Sequence, residues 1–298
     1  MRGMREIKRK VIGLIMVIII VISTLPLKVL GNSKDELINF KRITTADGLS
    51  QTTVEYMHQD KQGYIWIGTD DGLNKYDGKE FEVYRYREDM ENSISANFVP
   101  AIAEDSKNNL WVGTSSGLNK INLETNEIRV YNSGKESGRL ASGNVTEIFA
   151  SKKGDVYIAT TDGLYLYNEK NDDFLRLYYS ENEEESLSNQ FIYSVTEDSN
   201  GDIWVGTSNG LNKIVKETNE IIRFYKDGSE NSLSDNLIYK MNSQDEGYLW
   251  LGTYEGGLIK LDINTYEMKT YRADINNQKA LQSDFVRFIL RDSIGNLW

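Results

Sequence analysis

Beyond residue 43 the chain alternates short apolar bursts with clusters of turn residues, and nowhere does an apolar stripe recur at helical spacing. Residues 60–78, DKQGYIWIGTDDGLNKYDG, show the unit most clearly. Asp60 and Gly63 bracket one turn, Gly72 permits a second and Asp77-Gly78 a third, because glycine reaches backbone angles that other residues adopt only at a cost. The runs around these turns predict four strands, at about Thr53 to Gln59, Tyr64 to Gly68, Leu73 to Tyr76 and Glu80 to Tyr86.

The unit recurs as DSKNNLWVGTSSGLNKIN, SKKGDVYIATTDGLYLYN, DSNGDIWVGTSNGLNKIV and DEGYLWLGTYEGGLIKLD, and DSIGNLW opens a sixth copy. Its anchor aromatics are Trp66, Trp111, Tyr157, Trp204, Trp250 and Trp298, a period of about 46 residues. All five tryptophans of the protein occupy this one position, which suits a packing anchor and not a single active site. Four-stranded units at this period predict an all-β fold: a β-propeller with five complete blades and the start of a sixth. A seven-bladed ring would need roughly 320 residues, so residues 32–298 are expected to be a truncated seven-bladed ring, incomplete at the C-terminus. ELINFKR, residues 36–42, aligns with EIIRFYK, residues 220–226. Residues 36–43 therefore read as an orphan outermost strand that would complete the last blade and remove an open edge.

Repeats within one chain separate scaffold from site, since positions alike in every copy hold the fold and positions that differ are free to face a ligand. At the start of each first strand Val54, Val99, Val145, Ile192, Ile238 and Val286 match, as do Met57, Ile102, Ile148, Val195, Met241 and Ile289 three residues later. Both sets are expected in the core. Three breaks the strand period of two, so a bulge or a late strand start is expected between them. The slots in between hold Glu55-Tyr56, Pro100-Ala101, Thr146-Glu147, Tyr193-Ser194, Tyr239-Lys240 and Arg287-Phe288, which share no chemistry. They lie where each innermost strand leaves its loop, near the mouth of a central channel. From them Tyr56, Tyr193, Tyr239 and Arg287 are taken as ligand-binding candidates. Tyr254 and Glu255 join them, because their turn gains a residue, GTYEGGL against GTDDGL. Aromatic rings with scattered charges suit an oligosaccharide or another small polar ligand.

The first thirty residues change the picture of where the protein acts. A basic segment precedes the apolar run Val11 to Ile22, so residues 1–31 read as a signal peptide or signal anchor, the run being short against the roughly 20 residues of a membrane span. The chain is expected outside the cytoplasm, exported or held in the cell envelope. A formal net charge of −11 argues against nucleic acid as a partner. Cysteine is absent and His58 is the one histidine, which excludes thiol chemistry and multi-histidine metal centres. No catalytic constellation, metal site or cofactor is expected. The acidic run Glu181 to Glu185 lacks the alternating spacing of a calcium loop and reads as a solvated surface loop. Asp70, Asp71 and Asp162 beside glycine are explained by turn chemistry.

The repeated D-x-x-G-x-[IL]-W-[IVL]-G-T-x-x-G-L, with SLS at 186–188 and 232–234 and SIS at 93–95 before the blades, resembles the two-component regulator propeller family over about residues 36–298. That resemblance implies the extracytoplasmic sensor of a larger signalling protein, in which further blades, an immunoglobulin-like domain and a membrane helix precede a cytoplasmic histidine kinase or diguanylate cyclase. It implies membrane attachment through the N-terminal segment or through those later parts, and leaves open a homodimer of the full-length protein. Two copies depart from the pattern: the third has Tyr157 and Ala159 for Trp and Gly, and the fifth carries SQDEGYLW, which also fits the Asp-box of sialidase-like propellers. The alternative is therefore an exported glycan-active propeller enzyme, a hydrolase or lyase.

Overall fold

A computed structural model describes residues 41–134, 138–177, 186–245, 247–292 and 294–298. The apolar N-terminal segment, residues 36–40 of the orphan strand and the Glu181–Glu185 run lie outside the described residues. The blades belong to the unit Ile43–Trp298.

Each complete repeat folds into one four-stranded antiparallel sheet. The first contains β1 (Val54–Gln59), β2 (Ile65–Thr69), β3 (Gly72–Tyr76) and β4 (Phe81–Tyr84). The second has β5 (Ala101–Glu104), β6 (Asn109–Gly113), β7 (Gly117–Asn122) and β8 (Ile128–Asn132), and the third β9 (Val145–Ala150), β10 (Val156–Thr160), β11 (Gly163–Asn168) and β12 (Asp173–Leu177). The fourth comprises β13 (Ile192–Glu197), β14 (Ile203–Thr207), β15 (Gly210–Ile214) and β16 (Ile221–Phe224); the fifth β17 (Ile238–Asp245), β18 (Tyr248–Thr253), β19 (Leu258–Asp262) and β20 (Met268–Tyr271). The innermost strands β1, β5, β9, β13 and β17 neighbour one another in chain order, the arrangement of propeller blades around a channel. Both answers to the broken strand period occur. Register shifts follow Val54, Ile192 and Ile238 in β1, β13 and β17, and the β9–β10 pair shifts between Ala159 and Thr160, whereas β5 starts late at Ala101.

The repeated residues explain the blade. The indole Nε1 of Trp66, Trp111 and Trp204 donates to the carboxylate of Asp60, Asp105 and Asp198 at 2.8, 2.9 and 2.7 Å. The other carboxylate oxygen accepts backbone N–H groups of the turn, at Gln62 and Tyr64 in the first copy. One aspartate thus closes the turn and satisfies the buried indole, which would otherwise cost about 1 to 3 kcal/mol. The third repeat changes both partners together: Ser151 replaces the aspartate where Tyr157 replaces tryptophan, and its hydroxyl still accepts from Asp155 N–H at 3.0 Å. The SLS serine has a similar task. Ser50 bonds Thr69 of the Gly-Thr pair at 2.8 Å and accepts from Asn74 of β3 at 2.8 Å, and Ser95 and Ser188 repeat this with Thr114–Asn119 and Thr207–Asn212.

Glycine in the Gly-Thr pair is where one blade meets the next. A Cβ on Gly113 would lie 2.5 Å from Val145 Cγ1, and on Gly68 2.3 Å from the carbonyl oxygen of Val99, so β9 and the segment entering β5 press directly on the preceding blade's backbone. Gly72 answers a different need, with φ of 115° in the turn between β2 and β3. The tryptophans of the first, second and fourth blades pack with apolar residues of the blade that follows: Trp66 with Val99, Ile102 and Leu110, Trp111 with Val145 and Ile148, Trp204 with Ile238, Met241 and Leu249. Trp66, Trp111 and Trp204 are fully buried.

Two expectations about the core are corrected. Val54 and Met57 are 40% and 61% exposed although their counterparts in repeats two to five are buried, since those counterparts lie under the Gly-Thr strand of the repeat before them and the first repeat has no described blade before it. Trp250 is half-buried, the described residues of 281–298 forming no four-stranded sheet over it, and Trp298 is 72% exposed. The sixth copy nonetheless begins as the others do: Leu290 and Trp298 exchange backbone hydrogen bonds, and the Trp298 indole donates to Asp292 at 3.0 Å.

Candidate functional site

Residues from the variable slots of all six copies line one cavity of about 630 Å³, the second copy contributing Pro100. Glu55 and Tyr56 come from β1, Glu147 from β9, Tyr193 from β13, Tyr239 and Lys240 from β17, and Arg287 and Phe288 from the segment after β20. Two ion pairs cross it. Lys240 pairs with Glu147, two repeats away, and Arg287 with Glu55 at 2.8 Å, joining the sixth copy to the first. Tyr56 packs edge-on against Phe288, ring centres 6.3 Å apart.

Lys240 and Glu147 are largely withdrawn from water. Burial alone would lower the lysine's pKa, but the Glu147 carboxylate and the Tyr56 phenol outweigh it and hold the ammonium above its ordinary value. The same carboxylate, with burial, pushes Tyr56 up to about 12. Both groups therefore stay protonated at neutral pH. The Tyr193 hydroxyl is also raised, by burial and then by Tyr239 and Tyr254.

From the cavity a row of rings leads outward. Phe191 stacks on Tyr193 at 4.7 Å, Tyr193 faces Tyr239 at 5.3 Å, Tyr239 meets the edge of Phe285 at 5.1 Å, and Phe285 touches Tyr254 at 5.0 Å. Of the six candidates chosen from sequence, Tyr56, Tyr193, Tyr239 and Arg287 line the cavity, and Tyr254 reaches it through Phe285. Glu255 does not join them. Its side chain is exposed in the turn between β18 and β19, whose backbone is held by Asp235 and Arg272 at 2.7 Å each. Sequence reasoning did not select Glu55, Glu147, Lys240 or Phe288, although each sits in a variable slot; opposite charges in slots of separate repeats were the signal. Phe285 lies outside the slots.

The other polar candidates have partners of their own, Asp70 accepting from the Gln51 amide at 3.4 Å. Asp71 and Asp162 in the turns between second and third strands each pair with an arginine of the outermost strand, Arg85 and Arg176, at 3.1 Å. His58 lies on β1, 3.6 Å from Glu104, its pKa lowered by burial. Among the described residues no three of His, Asp and Glu gather as a metal site, and no helix is long and apolar enough to cross a membrane.

Three segments, residues 48–71, 93–116 and 186–209, match the family model of the two component regulator propeller. A stretch of 56 residues is 52% identical to "Histidine kinase P4" of Formosa agariphila, covering 19% of this chain and 4% of that protein. In structure the chain resembles the extracellular domain of BT3049 from B. thetaiotaomicron, described as a hybrid two component system, with a TM-score of 0.55 and 24% identity over 87% of this chain and 40% of that one. It also resembles the WD40 β-propeller domain of Doa1, with a TM-score of 0.58 and 15% identity over 84% of this chain and 76% of that one. The chain thus spans less than half of the BT3049 domain and a small fraction of the kinase.

Proposed function

We propose that this chain, three segments of which match the two component regulator propeller model, is the extracytoplasmic, ligand-sensing module of a transmembrane signalling protein. The ligand is a small polar molecule of the oligosaccharide class. One observation carries the reading: positions alike between repeats are consumed in turns, indole bonds and blade junctions, while positions that differ converge on one ring-lined cavity. A ring stacks on the apolar face of a sugar, and the charged pairs offer partners to its hydroxyls. The likeness to an extracellular domain of a described two component system and the short match to a histidine kinase support the cellular setting. A non-catalytic role is favoured over a glycan-active enzyme because two of the three turn aspartates, Asp71 and Asp162, are tied to arginines.

The test is calorimetric titration of oligosaccharides into the full chain and into Tyr193→Ala, Tyr239→Ala, Tyr254→Ala and Arg287→Ala. Each substitution is expected to weaken binding by about 1 to 3 kcal/mol. A glycan that binds with unchanged affinity in all four variants would place the site elsewhere.

A further inference from the structure

Resting on that reading of the cavity, we infer that its ligand carries a positive charge, and that an ammonium group of the ligand takes the place now held by the Lys240 side chain. The Lys240 ammonium is bound here as a ligand would be. It pairs with Glu147 and lies 5.1 Å from the centre of the Tyr56 ring and 5.5 Å from that of Phe288. A carboxylate and two ring faces around one cation form a cationic receptor site, assembled from β9, β1 and the segment after β20.

The two partners of this ion pair differ in how they can be displaced. An anionic ligand competing for Lys240 must push Glu147 aside, and that carboxylate is short, buried and fixed on β9, so it would be left as an unpaired buried charge, the costliest outcome for an ion pair. A cationic ligand displaces Lys240, whose four-carbon stem can carry its ammonium out through the mouth of the cavity into water. The second cation near the cavity, Arg287, is already neutralised by Glu55. A net charge of −11 on the chain further favours approach of cations over anions. The lysine thus acts as a tethered competitor, and the class of ligand is a sugar or small molecule bearing a primary amine.

The experiment uses tetraglucosamine at about pH 6, where its amines are charged, its N-acetylated counterpart, and a tetragalacturonate of similar length. Titrated into the wild-type full chain, tetraglucosamine is expected to bind at least about tenfold more tightly than either of the others. Lys240→Met, which removes the competitor, should bind it as tightly or more tightly, and Glu147→Gln should lose at least about tenfold. Circular dichroism melting shows whether each variant is folded, and the wild-type comparison needs no variant. Failure of tetraglucosamine to bind, a preference for the galacturonate, or unchanged affinity in folded Glu147→Gln overturns the inference. Equal binding of charged and acetylated sugars, weakened by Tyr239→Ala, overturns it while leaving the sensing cavity intact; binding indifferent to every cavity substitution removes both.

Discussion

The third repeat is a natural experiment on the turn carboxylate, and it predicts what happens when the fourth is edited to match. Trp204 is fully buried and its indole donates to Asp198 at 2.7 Å; its ring also stacks on Phe224 at 5.7 Å, with the Lys213 ammonium 5.5 Å from its centre. Trp204→Tyr loses part of the packed ring, about 1 to 2 kcal/mol, and strands the Asp198 oxygen, about 1.5 to 3 kcal/mol more for a bond to a charged group. Asp198→Ser keeps the turn, as Ser151 does, but orphans the buried indole N–H at about 1 to 3 kcal/mol. The double variant has neither orphan. It should cost little beyond the packing loss, so the two single penalties together should exceed the double penalty by the sum of the orphan costs, about 2.5 to 6 kcal/mol. Urea unfolding of the four proteins, followed by far-ultraviolet circular dichroism, measures this coupling. Simple additivity would refute the idea that the pair, and not each residue separately, sets the choice of aromatic.

The blade junction predicts that Gly113→Val destabilises by about 1 to 3 kcal/mol or more through contact with Val145, whereas Ala159→Gly costs only about 0.5 to 1 kcal/mol; thermal melts of both variants test this. Burial pushes the Asp105 carboxyl up, but the Asn109 backbone and side chain, the Trp111 indole and the Lys107 N–H together hold it below the ordinary carboxylate value. Its contribution is therefore complete above the unfolded value of about 3.9 and lost as pH falls through the depressed folded value. Urea midpoints should drop more steeply below about pH 4 in the wild type than in Asp105→Asn, and parallel profiles would contradict this. A reporter active only after export, fused to residues 1–60, should be active; its retention in the cytoplasm would remove the sensor's proposed location.

How much of this was legible beforehand follows from what a repeat can reveal. Strand positions, the tryptophan's role and the blade count followed from period alone, because each blade presents the same local pattern. Bulges were foreseen because Val54 and Met57 are three apart, a local fact. Exposure of those two residues was not, since it depends on what lies beside β1 in space. The candidate cavity divides in the same way. Tyr56, Tyr193, Tyr239 and Arg287 occupy variable slots and meet, but the pairing of Glu147 with Lys240 joins positions two repeats apart, and no single copy of the motif contains it. Glu255 was selected from an irregular turn, and the insertion there bends the backbone toward Asp235 and Arg272 without bringing that carboxylate to the cavity.

Because the junction between blades is one small residue, glycine in every complete repeat but the third with its Ala159, against one β-branched residue, it is nearly the same chemical joint whichever copies meet there. A gene with such similar segments is open to unequal recombination, and a repeat gained or lost that way yields a protein whose new seam is still made of compatible surfaces. The tie between Glu147 and Lys240 does not survive the exchange, because inserting or deleting a copy between them changes which slots face one another across the channel. Blade number can therefore drift at small cost to folding, while every such step rewrites the composition of the cavity.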